Sequence, residues 1–347
     1  MKKHMTLVAA CMLAACAPAS PGTAPSPSPS ASTTTAAAAN ANQRLDQLAE
    51  AFYEAQLALN PTAATSVGDN RYNHLYTAGF QPDVRARSRA LREEYAPRLA
   101  AINRNALDEE HQITYDVFRW NLESARRSEE FPGHLIPLNQ FFNFTAGFVQ
   151  MGAGTGLHPF RTVKDYEDFL SRMRGFQQVV DDAIANMRQG IQAGVVQPRV
   201  LMERVLPQLS AHVVSDPTQS LFWGPITNLP AEFTPAERER LTAQYSQAIR
   251  EIIVPTFRKL HDFVQDEYMP RTRTTAGLGG LPNGRAWYEN AVRSITTTDL
   301  TPEQIHEIGL SEVARIHREM ETVMRQVGWT GDLQSFMRHV QTDPQFR

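Results

Sequence analysis

The chain has almost no cysteine. Cys11 and Cys16 are its only two cysteines, and both lie at the N-terminal end. The rest of the sequence therefore has no residue for a disulfide, a thiolate metal site or a cysteine nucleophile. A domain of this size can build a sufficient hydrophobic core without disulfides, so their absence is compatible with an oxidising compartment.

Basic excess and long apolar runs are also missing. The sequence has 34 Lys and Arg residues against 37 Asp and Glu residues, which gives a formal net charge of -3. A nucleic-acid-binding domain would carry a basic face, so we expect no nucleic-acid partner. The apolar run from Met5 to Ala15 is shorter than the roughly 20 residues that a membrane-spanning helix needs.

Residues 1–16 have the pattern of an export signal. Lys2 and Lys3 precede the apolar run, and Leu13-Ala14-Ala15-Cys16 ends it with small residues before a cysteine. This pattern resembles a bacterial lipobox, and it predicts a lipid anchor on Cys16. Two alternatives stay open: a second lipobox at Val8-Ala9-Ala10-Cys11, and an ordinary signal peptide whose cysteine is incidental.

Residues 17–40 contain only Ala, Ser, Pro, Thr, Gly and Asn. Such a segment cannot bury enough apolar surface to offset the entropy lost on ordering. We therefore predict a disordered tether over 17–40 and a globular domain over 41–347. Ala17 follows the cysteine in place of an Asp that would retain a lipoprotein at the inner membrane, which indicates the periplasmic face of the outer membrane.

The globular part has the periodicity of helices. Apolar residues recur every three or four positions from Gln43 onward, which predicts an all-α fold with long irregular loops. The segment 272–298 is interpreted as loops with one short strand pair. Helix starts are predicted from these N-terminal capping signals: Asn60-Pro61, Thr162 to Asp165, Thr234 to Glu237, and Thr301 to Gln304.

The last long helix carries an apolar stripe that we expect to be deeply buried. Its members share one helical face and are Ile305, Ile308, Val313, Ile316, Met320, Val323 and Val327.

No catalytic motif follows from the residues alone. His306-Glu307 opens like the zinc motif H-E-x-x-H, but Leu310 stands where the second histidine would be. His317 lies about 16 Å further along the helix axis, too far to share an ion whose bonds to nitrogen are about 2.0–2.1 Å. No G-x-S-x-G nucleophile elbow is present. His306 is interpreted either as a partly buried helix residue with a hydrogen-bond partner or as a residue that faces a substrate.

Four segments in collinear order resemble the DUF885 family, whose bacterial members are similar to helical zinc metallopeptidases. The segments are Asn60–Tyr72, Gly190–Arg204, Leu281–Tyr288 and Thr296–Leu310. The resemblance covers Gln43–Arg347. It implies a helical fold and, in full-length relatives, zinc-dependent hydrolysis of peptide bonds.

The sequence also departs from the family pattern. Family members are longer, with a late metal motif of the form H-E-x-x-P-G-H-H and a downstream E-G-W-A, and neither string occurs here. We therefore expect this chain to correspond to the N-terminal half of such a protein, with no catalytic, cofactor-binding or metal-binding residue of its own. Tyr288 and His306, in the two best-matching segments, are expected to face a groove.

The sequence thus predicts a cell-envelope lipoprotein, anchored through Cys16, that resembles the N-terminal half of a zinc-dependent peptidase. We expect it to be inactive alone and to expose apolar surface that the remaining half would cover. A peptide is the expected substrate class of the full-length protein. Two alternatives stay open: a non-enzymatic envelope protein that binds peptides or other ligands, and a non-functional truncation product.

Overall fold

The computed structural model describes residues 30–141 and 143–346, with side chains described from residue 40 onward. Cys16 and the predicted signal 1–16 lie outside the described residues. The α-helices of the described part are α1 (Ser30–Leu59), α2 (Pro61–Ser66), α3 (Pro82–Ala100), α4 (Glu109–Ser128), α5 (Phe144–Gly152), α6 (Val163–Ala193), α7 (Arg199–Ser210), α8 (Gly224–Thr227), α9 (Pro235–Ala248), α10 (Val254–Asp262), α11 (Gly284–Thr296), α12 (Pro302–Gln326) and α13 (Leu333–Thr342).

The all-α prediction is confirmed, but the predicted strand pair is wrong. Within 30–141 and 143–346 the β-type pairing is limited to two isolated bridges, Leu138 with Asn143 and Pro198 with Arg273. The segment 272–298 forms α11 over most of its second half. The glycines and the proline of segment 272–298 lie before α11 or at its first residue, so they separate two helical regions. None of the described helices is both long and apolar enough to cross a membrane.

Helix α1 begins inside the segment that we predicted to be a tether. It starts at Ser30, so residues 30–40 are helical, in contrast to the predicted disorder over 17–40. The run Ala36–Ala39 gives a physical reason, because alanine has the highest intrinsic helix propensity. Residues 17–29 lie outside the described part of the chain.

The predicted helix starts are confirmed. Asn60 accepts a hydrogen bond from the backbone N–H of Ala63 and caps α2. Thr162, Thr234 and Thr301 each form a reciprocal capping box at the start of α6, α9 and α12. Each box satisfies backbone donors that a helix leaves unpaired at its N-terminus.

Helix α6 is the centre of the larger core. Its apolar stripe is buried, and it packs against α9 and α10. Phe176 of α6 stacks on Phe148 of α5, with ring centroids 4.2 Å apart and planes 2° from parallel. The buried stripe consists of Phe169, Met173, Phe176, Val180, Ile184 and Met187.

A smaller core lies between α1, α3 and α4. It contains Leu45 and Leu48 of α1, Tyr95 and Leu99 of α3, and Phe118 of α4, among others. The predicted apolar face of α1 thus packs on the α3–α4 hairpin.

Two wide helical turns interrupt the long helical segment that starts at Pro235. Residues 249–253 and 263–268 are π-helical, and α10 lies between them. Pro255 lies in the first turn of α10, directly after the first π-turn. Proline lacks a backbone N–H and clashes with the preceding turn, so a widened turn accommodates it.

Candidate functional site

A bidentate ion pair joins α11 to α12. Arg285 Nη1 and Nη2 lie 2.6 and 2.8 Å from the two carboxylate oxygens of Glu303. The Arg285 guanidinium lowers the pKa of the Glu303 carboxyl to about 2. Both residues are exposed, so the pair contributes little to stability.

Tyr288 and His306 lie on the two helices next to this ion pair. Tyr288 is three residues after Arg285 and His306 is three residues after Glu303, so each lies about one turn from the pair. Tyr288 is 47% exposed, and His306 is also exposed. Other residues line the five cavities of about 230–510 Å³ described in the structure. The groove-facing role of the two residues stays a prediction.

The described residues do not fit a zinc site. Within them, no group of three or more His, Cys, Asp or Glu side chains is placed to hold a metal ion. His306 and His317 lie on one continuous helix, α12, whose geometry keeps them apart.

The predicted burial of the last apolar stripe is wrong. Its members Ile308, Val313, Ile316, Met320 and Val323 are between 37% and 53% exposed. We call these five residues the α12 apolar face. Helix α12 packs mainly against α13, so its apolar residues meet few neighbours in the described part of the chain. Met324 of the same helix is buried instead.

The spacing of the α12 apolar face is that of a helix–helix seam. Val313, Ile316, Met320 and Val323 follow one another at intervals of three, four and three residues. Val327 continues the series after four more residues and is also exposed. Alternation of three and four residues places apolar side chains in a narrow stripe, which is the pattern that a second helix packs against.

A buried arginine joins the N-terminal segment to α6. The Arg172 guanidinium is fully buried and donates to the Leu75 carbonyl oxygen (3.0 Å) and to Thr65 Oγ1 (2.6 Å). Its Nη1 lies 2.9 Å from His158 Nδ1. Burial lowers the pKa of Arg172 to about 10 and that of His158 to about 4. All these partners are neutral, and the network holds distant parts of the chain together. Our sequence reasoning missed it, although a charged residue on the apolar side of α6 was a signal.

The family-like segment around Gly190 has a structural role. A Cβ atom on Gly190 would lie 2.6 Å from the Val195 carbonyl oxygen, so only glycine fits there. Gly194 has a φ of 69° and ends α6 in the left-handed conformation. Gln197 then donates to the Leu138 carbonyl oxygen at 3.0 Å. These residues form the turn that connects α6 to α7.

An open groove lies between α3 and the C-terminal end of α4. We call it the α3–α4 groove. Its volume is about 510 Å³, and the loop that follows α4 closes one side. Its polar lining comes from Arg85, Ser88, Arg92, Ser128, Glu129 and His134. Burial, with a smaller contribution from the nearby Arg85 charge, lowers the pKa of His134. No sequence pattern indicated this groove, because Arg85 and His134 are far apart along the chain.

Comparisons with known proteins agree with the helical fold. The structure is similar to the crystal structure of "the putative lipoprotein from Colwellia psychrerythraea", with a TM-score of 0.72 and 18% sequence identity. The similarity covers 88% of this chain and 55% of that chain, so this chain spans about half of the length of the solved protein. None of the curated proteins matches. The profile of the family described as "Bacterial protein of unknown function (DUF885)" matches residues 61–347, and the chain is a member of this family.

Proposed function

We propose that this chain is the helical N-terminal part of an envelope-anchored, peptide-hydrolysing DUF885 protein. In this proposal the α12 apolar face packs against further helices of the same family fold. Those helices would supply the zinc ligands, since the described residues do not form a metal site. This chain would supply the anchor and one wall of the peptide-binding region.

The observation that carries the proposal is the α12 apolar face. Large exposed apolar patches on a soluble protein mark a surface that another element covers. The three-and-four spacing of Val313, Ile316, Met320 and Val323 favours a helix as that element. The length of the solved Colwellia protein supports a covering helix from the same fold, because 45% of that chain lies outside the 55% that matches.

A first test uses the solved Colwellia protein. The proposal expects the counterparts of Val313, Ile316 and Met320 to be covered there by helices that have no counterpart in this chain. The measurement is the accessible area of those positions with and without the unmatched part of the relative. Counterparts that stay exposed in the complete relative would contradict the packing proposal.

A second test addresses the chemistry. A longer DUF885 protein that contains an equivalent of this chain should bind one zinc ion per molecule and hydrolyse a peptide, and chelation should abolish the hydrolysis. This chain alone should do neither. Metal analysis and a fluorogenic peptide assay measure both properties. One tightly bound zinc ion with metal-dependent peptidase activity in this chain alone would contradict the proposal that helices outside this chain supply the zinc ligands.

The anchor has a test with a matched control. The structurally similar protein described as a putative lipoprotein supports an anchored protein, and the lipobox pattern assigns the lipid to Cys16. Cys16→Ser should abolish incorporation of a fatty-acid probe, whereas Cys11→Ser should leave it intact. The reverse result would move the anchor to Cys11, and labelling of the double variant would exclude a cysteine-linked lipid.

A further inference from the structure

The α3–α4 groove combines cationic side chains that come from one face of α3. Arg85, Ser88 and Arg92 follow at intervals of three and four residues, so their side chains lie above one another on the helix surface. Glu129, at the end of α4, and His134, in the following loop, face them across the groove. The groove is therefore a polar cleft between two helices.

The groove has more positive than negative charge. Glu129 is its carboxylate, and it already pairs with Arg92 and, at 3.3 Å, with Arg89. The guanidinium of Arg85 makes no hydrogen bond or ion pair with any residue in the described ranges. The lining thus has two guanidinium groups, Arg85 and Arg92, against one carboxylate, in a protein whose formal net charge is -3. A ligand that complements this groove carries negative charge.

Aromatic side chains form the apolar part of the same groove. Phe131 lines it and stacks on Trp287 of α11, with ring centroids 6.1 Å apart and planes 16° from parallel. Phe80 lines the other end and packs edge-on against Phe144 at 5.1 Å. Because each ring is held by a second ring, the apolar wall is formed before a ligand binds. An apolar group next to the ligand's negative charge would contact this wall.

We propose that the α3–α4 groove binds a carboxylate attached to an apolar group, with Arg85 as the main partner of the carboxylate. Guanidinium groups bind carboxylates through two parallel hydrogen bonds, which makes such pairs strong and directional. His134 and Ser88 add further hydrogen-bonding groups beside Arg85. The chemistry fits the C-terminal residue of a peptide or a small free acid with an apolar side chain. This inference goes beyond the proposed function, and its test does not depend on hydrolysis.

The test is a binding titration by calorimetry with four probes. They are a short peptide that ends in leucine, the same peptide with an amidated C-terminus, N-acetyl-leucine and inorganic phosphate. We expect the free-acid peptide to bind at least tenfold more tightly than the amide. Equal affinity of the acid and the amide, or no measurable binding of any probe, would overturn the proposal. If N-acetyl-leucine binds as tightly as the free-acid peptide, the natural ligand is identified as a small free acid. Tighter binding of phosphate than of the peptide would exclude a carboxylate site.

The variant Arg85→Gln tests the assigned partner. It should weaken binding of the free-acid peptide at least tenfold and leave the amide unchanged. The matched control is Arg87→Gln on the same helix, because Arg87 pairs with Asp83 at 2.9 Å outside the groove and should not affect binding. A loss that is equal in both variants would contradict the assignment.

An NMR titration of His134 gives an independent readout. Its charged neighbours are Arg85 and Arg92 from α3 and Glu129 from α4. A bound carboxylate favours the protonated imidazole, so the peptide should raise the pKa of His134. Arg85→Gln should raise the pKa of His134 without ligand, because the Arg85 charge lowers it. A His134 pKa that responds to neither change would contradict the proposed geometry.

Discussion

Helices α6 and α12 carry apolar stripes of similar regularity, but only the stripe of α6 is buried. Phe169, Met173 and Phe176 of α6 have no accessible surface, whereas Ile308 and Val313 of α12 are half exposed. The difference lies in the neighbouring helices: α6 packs against α9 and α10, whereas α12 packs mainly against α13. Periodicity therefore identifies the apolar face of a helix, but it does not identify what covers that face.

The comparison predicts that substitutions change the free energy of unfolding strongly in the α6 core and weakly on the α12 apolar face. In the α6 core, removal of a side chain leaves a cavity or unpaired polar groups. On the α12 apolar face, it removes contact with solvent only.

Phe176→Ala should have the largest effect. The ring is fully buried and stacks on Phe148, so its removal leaves a cavity and should lower the free energy of unfolding by about 3–5 kcal/mol. Equilibrium unfolding in urea measures the change. The control Phe141→Ala removes an exposed phenylalanine and should cost less than about 0.5 kcal/mol. Similar values for both variants would contradict the contrast between core and surface.

Arg172→Met should cost roughly 3 kcal/mol. Methionine retains much of the length of the side chain but leaves the Leu75 carbonyl oxygen and His158 Nδ1 without their buried donor. The control Arg174→Met changes an exposed arginine of the same helix and should have little effect on the free energy of unfolding. An Arg172 variant as stable as the control would show that the buried charge costs as much as its hydrogen bonds contribute.

Acid should destabilise the protein through His158. Burial lowers its pKa to about 4 in the folded state, against about 6.5 in the unfolded state. Between these values the unfolded chain binds a proton that the folded protein does not bind, so stability falls as the pH falls from 6.5 to 4. The expected contribution is about 2–3 kcal/mol. Urea titrations at several pH values measure it, and His158→Gln should flatten this part of the curve. The exposed His74→Gln should leave the curve unchanged.

Ile316→Glu combined with Val323→Glu should have the smallest effect on the folding of the chain. Both positions are exposed, so the free energy of unfolding should change by less than about 1 kcal/mol. Self-association measured by sedimentation should fall, because the α12 apolar face loses its apolar character.

The control for this pair is Ser311→Glu combined with Thr322→Glu, which adds the same charge to the opposite side of α12. It should leave self-association unchanged. A large loss of stability in the first pair would mean that the face is covered within this chain. Equal loss of association in both pairs would assign the effect to charge alone.

The sequence was sufficient to predict features that depend on residues close together along the chain, such as helix starts. The capping box from Thr162 to Asp165 defines the start of α6 locally, and the structure confirms it. The all-α class followed from the same periodicity. The interpretation of 272–298 was wrong because glycine and proline punctuate the start of this region, while α11 begins directly after them.

The sequence did not predict what depends on contacts between distant residues. Arg172 receives its partners from Thr65, Leu75 and His158, and no local pattern links these positions. The α3–α4 groove forms only because the loop after α4 brings His134 back to Arg85. The exposure of α12 is of the same kind, since burial depends on which helices lie beside it.

The local stabilisation of α12 has a kinetic consequence. Its 25 residues exceed the roughly 12–15 below which isolated helices are marginal in water, and Thr301 caps its first turn. Ion pairs of Arg315 with Glu312 and Glu319 support its exposed middle. Ordering the backbone costs about 1–2 kcal/mol per residue. Helix α12 is already ordered before a covering segment docks, so docking does not include this cost. A segment that covers α12 would therefore meet a finished helix, and its rate of docking would depend on diffusional encounter and orientation rather than on helix formation.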